Sequence, residues 1–152
     1  MKIKINSFTH YNLLLLFINY YYKNLYNLYA INTCLTYMIF ITFHSSLLLD
    51  ISTFKRIRIK NDFTYLQFHL GNFVLHTLPC IYVYNCPPQI ILHKHSIIAL
   101  FSKLLWCYLS TKGSMDLGEI YVKFTNKQVY ILYLISSCSC LSIPLFYKNN
   151  LL

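Results

Sequence analysis

Charge is distributed along this chain in a way that few folds tolerate. Stretches of about twenty residues with little or no charge lie at 5–22, 29–49, 63–84, 89–109 and 128–147, separated by short polar connectors of which most carry Lys or Arg. About twenty apolar residues is what a helix needs to cross the hydrocarbon core of a bilayer. The first stretch centres on the run from Leu13 to Ile18, and the second carries Asn32, several Thr and His44. The fifth is the strongest: it holds nine Leu, Ile, Phe and Val and no charge before Lys148. At roughly −0.3 to −0.6 kcal/mol each near a helix centre, these give a gross insertion gain of about −3 to −5 kcal/mol. The fourth stretch is as apolar but contains Lys94 and Lys103. Each would cost up to about +3.5 kcal/mol at the bilayer centre unless its stem carries the ammonium toward an interface.

Composition argues the same way. A soluble domain is about 25% charged, whereas this chain of 152 residues is 11% charged and 57% hydrophobic. That leaves too few charges to coat a surface in water. The acids are Asp50, Asp62, Asp116 and Glu119, and the formal net charge of +9 favours an anionic partner, lipid before nucleic acid. The 15 Tyr and 11 Phe against 3 Gly and 4 Pro reflect codons rich in A and T. The same bias would arise from translating AT-rich DNA that was never selected as a gene, so an unselected reading frame without function is a rival account.

The connectors set a topology. Asn85-Cys86-Pro87-Pro88 reads as a sharp turn whose second proline suits the start of a following helix. The polar stretch 110–127 reads as a turn at 111–114 followed by a possible short strand at 119–124. If every span inserts, alternation places Lys2, Lys4, Lys55, Arg56, Arg58, Lys60, Lys112, Lys123 and Lys127 on one side and Lys23 and Lys148 on the other. The positive-inside rule then puts the N-terminus in the cytosol. Lys2 and Lys4 ahead of an apolar run resemble the opening of a signal peptide, but Asn19 to Lys23 occupy the place where small residues mark cleavage. An uncleaved span is expected there. No internal repeat of fixed period is present.

The sharpest local pattern is His69, Asn72, His76 and Cys80 in the third span. On a regular helix their spacing places all four within an arc of about 80°. A polar stripe inside a membrane must face protein, water or an ion, and neutral imidazoles are suited to hold a transition metal or to relay protons. The plainer expectation is that these side chains hydrogen-bond to neighbouring helices. The basic run Lys55-Arg56-Ile57-Arg58-Ile59-Lys60 sits between two apolar spans, which favours contact with anionic headgroups. Nucleic-acid binding is not expected, because the aromatics lie in the uncharged spans rather than among the basic residues.

Cys80, Cys86, His93 and His95 approach a zinc ligand set, but the spacing departs from zinc-site patterns. Ser136 and Cys140, four residues apart, are small enough to let another helix approach closely. The 6 Cys have no regular spacing that would define a disulfide framework. No phosphate-binding Gly loop, nucleophile elbow or H-E-x-x-H motif occurs, and the four acids nominate no catalytic pair. No cofactor is expected, and nothing argues for catalysis.

The sequence therefore predicts an all-α fold, a small transmembrane helical bundle of four or five spans. Residues 1–62 supply N-terminal apolar segments and a basic loop, and residues 63–152 the membrane core. Its partners are the lipid bilayer and other membrane helices. A structural or interaction role leads; a metal-binding or transport subunit using the His-lined face is the alternative.

Overall fold

In the computed structural model, residues 8–22, 25–60, 62–110 and 125–149 are described. Lys2, Lys4, Lys23, Lys112, Lys123 and the strand expected at 119–124 lie outside the described residues. Every described element is helical: α1 (Phe8–Tyr21), α2 (Tyr26–Leu49), α3 (Ile51–Lys60), α4 (Tyr65–Asn72), a π-helical turn (Phe73–Thr77), α5 (Leu78–Asn85), α6 (His93–Ser110) and α7 (Asn126–Asn149).

Local side-chain chemistry places the boundaries. Asp50 ends α2 and starts α3: its carboxylate accepts from the Ser52 backbone N–H at 3.0 Å and the Ser52 hydroxyl at 2.6 Å, satisfying a donor that a helix start leaves open. Where the sequence reading places a basic loop, this cap carries a ten-residue helix. α3 stops at Asp62, whose φ of 54° is left-handed. The Asp62 N–H returns to the Ile59 carbonyl at 3.2 Å and the Phe63 N–H to the Arg58 carbonyl at 3.1 Å, the paired bonds of a Schellman ending. Thr64 opens α4 through a capping box with Gln67, the Gln67 N–H donating to Oγ1 at 3.2 Å and the Thr64 N–H to Oε1 at 3.0 Å. Thr125 and Gln128 repeat the arrangement at the start of α7.

α2 runs through the middle and packs against α1, α3, α5, α6 and α7, while α6 and α7 pack against each other. The core is Ala30, Cys34, Leu35 and Met38 of α2 with Ile91, Ala99, Cys140 and Ile143. It draws on both sides of residue 62. Small residues dominate the junction of α2, α6 and α7, where Cys34, Ser96, Ala99, Ser136 and Cys140 are all but fully buried, so the three backbones approach closely. The Cys140 thiol donates to the Ser96 carbonyl at 3.3 Å, and the Cys34 sulfur lies 3.6 Å from the Ser96 hydroxyl.

Among the described residues two single helices are long and apolar enough to cross a membrane: Tyr26–Leu49, mean hydropathy 1.3, and Lys127–Tyr147, mean hydropathy 1.8. Individual helices thus reach spanning length at two of the expected positions. α1 has 14 described residues, and the third stretch is divided among α4, the π turn and α5.

Candidate functional site

The π turn decides how the polar stripe of the third span is displayed. Pro79 has no N–H, and its ring would clash with the carbonyl of the residue four before it, Leu75, in a regular helix. Widening the preceding turn relieves that clash: the Leu78 N–H bonds to the Phe73 carbonyl, five residues back. The wide turn absorbs about one residue, or about 100° of helical phase. That phase shift falls between Asn72 and Cys80; Asn72, His76 and Cys80 are partly buried, while His69, ahead of the turn, is exposed. His69 packs instead against Tyr65 of its own helix, with ring centroids 4.1 Å apart.

His76 meets α2. Its ring lies flat on Phe43, centroids 3.9 Å apart and planes 9° from parallel. Phe43 also contacts the edge of His44 at 5.3 Å, and His44 packs on Phe40 at 4.2 Å. His76 is within electrostatic reach of both His44 and His10 of α1. The His76 Nδ1 and His44 Nε2 atoms are buried with no hydrogen-bond partner. Two imidazoles from different elements thus flank one phenyl ring, each holding a nitrogen available to a proton, a water or an ion. His10 and His44 belong to this neighbourhood although the stripe within the third span did not include them; no spacing rule links residues on separate helices.

The wider interior is polar as well. The Asn12 amide of α1 donates to the Thr36 hydroxyl of α2 at 2.9 Å. Asn19 and Asn32 are buried with both amide atoms unpartnered. The Lys103 ammonium donates to the Ser136 hydroxyl across the α6–α7 contact, which gives this charge a partner inside the bundle.

Cys80, Cys86, His93 and His95 are not assembled as a ligand set: among the described residues no group of three or more His, Cys, Asp or Glu is placed to hold a metal ion. His95 has a different task. Its Nδ1 accepts from the Leu92 N–H at 3.1 Å, filling the role a Glu plays in a capping box at the start of α6. That fixes the proton on Nε2, which donates to the Asn27 side-chain oxygen at 3.0 Å and ties α6 to α2. The Tyr29 hydroxyl, donating to the Cys86 carbonyl, holds the proline turn to the same end of α2. In the basic segment, Lys55 and Arg56 are exposed and Lys60 closes α3. Arg56 pairs with Asp50 at 2.6 Å, and Arg58 donates to the Phe63 carbonyl at 3.4 Å.

Comparison with protein-family models, with curated proteins and with solved structures finds no match.

Proposed function

We propose that this chain is a small integral membrane protein whose helices cross the bilayer four or five times and whose role is structural or interaction-based. The observation that supports this best is an inverted distribution of polarity. Asn32, Thr33, Thr36, Ser96 and Ser136 are buried to 1% exposure or less, while Leu66, Phe101 and Leu134 are each at least 65% exposed. A soluble bundle would reverse this pattern. In lipid, small polar residues belong at helix contacts and large apolar ones belong outside. The core helix of a soluble protein is mostly buried, yet only 28% of the apolar window of α7 and 44% of that of α2 are covered by protein.

Lengths support additional crossings. α4, the π turn and α5 run without interruption from Tyr65 to Asn85, 21 residues or about 31 Å at 1.5 Å per residue. α6 has 18 residues, about 27 Å, with Lys103 satisfied by Ser136. α1 would be a fifth, partial crossing. With α2, the 65–85 rod, α6 and α7 spanning, α3 and the 111–124 connector share a side, and that side carries most of the basic residues, against Lys23, Lys94 and Lys148 on the other.

Tag accessibility on intact and permeabilised membrane vesicles tests the reading. A fixed side for the C-terminal tag, opposite that of a tag inserted after Thr111, is expected; equal access to both in sealed vesicles would contradict it. The unpartnered nitrogens of His44 and His76 favour a second reading, a metal-binding or transport subunit. Stoichiometric metal on detergent-purified protein, lost in His44→Leu/His76→Leu, supports it; metal-free protein with no effect of the double substitution removes it.

A further inference from the structure

A cavity of about 550 Å³ opens near the proline turn, between α2, α5 and α7, and Tyr37, Tyr84, Phe146 and Tyr147 supply four aromatic rings to its wall. Pro87 and Gln89 of the turn form part of its rim. Among the described residues no charged side chain lines it, so that wall offers a cation or an anion no counter-charge. The Tyr37 and Tyr147 hydroxyls lie 3.4 Å apart and are each other's partner. That separation is long for an O–H···O bond, whose usual range ends near 3.0 Å. When one hydroxyl donates to the other, one O–H donor of the pair remains uncommitted. The two hydroxyls at the α7 wall do not compete for a ligand acceptor, because Ser139 donates to the Ile135 carbonyl at 2.7 Å and Ser142 to the Ser139 carbonyl at 2.9 Å.

We infer that this cavity binds a neutral, flat-ringed, lipid-soluble carbonyl compound. The rings of Tyr84 and Phe146 supply stacking surface, and the one uncommitted O–H of the Tyr37–Tyr147 pair donates to the carbonyl oxygen. Pockets of this size, mostly apolar with a few convergent polar groups, are the usual form of small-molecule sites. The inference rests on the fold of the bundle and not on how many helices cross the bilayer.

Benzophenone serves as the probe, because it is itself a diaryl ketone and, under near-ultraviolet light, bonds covalently to neighbouring C–H groups. The full chain in detergent micelles is irradiated with it, and the labelled peptides are mapped by mass spectrometry. Labelling concentrated at 84–89 and 139–147 is expected. Tyr37→Phe/Tyr147→Phe keeps both rings and removes both donors, and it should lower labelling at sub-saturating probe about fivefold, the effect of one ordinary hydrogen bond. Diphenylmethane, which lacks the carbonyl, should compete about fivefold less well than unlabelled ketone. Labels scattered along outward-facing positions such as Phe101, or equal labelling of the double variant, would overturn the assignment.

Discussion

Leu134→Arg separates a membrane-spanning α7 from a solvent-exposed one. Leu134 is 67% exposed on the outer face of α7, three residues from the middle of Lys127–Tyr147, about 4.5 Å along the axis. On a water-facing helix, Leu to Arg at such a position changes stability by about 0.5 kcal/mol or less. In a bilayer it removes roughly −0.5 kcal/mol and adds about +2.5 to +3.5, a penalty of about 3 to 4 kcal/mol that cancels most of the gross apolar gain of the span. The ratio of inserted to uninserted α7 should therefore fall by roughly two to three orders of magnitude. The full chain is synthesised with microsomes and a glycosylation acceptor in a C-terminal tag, and the tag of the variant should change sides relative to the parent. Snorkelling of the Arg would soften the loss without abolishing it. An unchanged tag position, together with a more soluble variant, would refute the argument that this face meets lipid.

Three further outcomes follow from the same geometry. Asn32→Leu replaces a fully buried amide with no partner by an apolar side chain of the same branching, and should raise resistance to denaturant-induced unfolding in detergent by about 1 to 3 kcal/mol; a loss of stability would mean that the amide has a partner that matters. A double-mutant cycle of Asn12→Ala and Thr36→Val, read by the same unfolding assay, should give a coupling of about 0.6 to 1.7 kcal/mol, the range for interhelical hydrogen bonds in membranes, and zero coupling would contradict the α1–α2 contact. Lys55→Gln/Arg58→Gln/Lys60→Gln, which leaves the Arg56–Asp50 pair intact, should weaken the orientation preference at about 1 kcal/mol per basic residue and give a mixed topology by protease protection, whereas an unchanged one-sided topology would show that α3 does not set the orientation.

The helical stretches were legible in the sequence because charge and proline mark their ends. Expected limits of 29–49, 63–84 and 128–147 fall within a few residues of α2, the 65–85 rod and α7. α3 reads as a loop because ten residues dense in Lys and Arg carry few apolar ones; the signals available were Asp50 ahead of the segment and the recurrence of Ile51, Phe54 and Ile57 every three residues. Thr64-x-x-Gln67 and Thr125-x-x-Gln128 were signals of the same kind that went unread. The π turn was hidden because a regular 100° step was applied from Asn72 to Cys80. The links of Asn12 to Thr36 and of His95 to Asn27 join residues far apart in sequence. Neither bond has a local pattern from which one chain could reveal it. The aromatic cavity was out of reach for the same reason, its four rings coming from three helices.

Carbonate extraction of membranes from cells making the full tagged chain tests the central claim most directly. Alkaline carbonate strips peripheral proteins and leaves embedded ones in the pellet. Intact chain retained in the pellet is the predicted result, since α6 and α7 turn large apolar side chains such as Phe101 and Leu134 outward. Release into the supernatant, or no stable product from the native gene, would contradict the membrane account and leave an unselected reading frame as the better one.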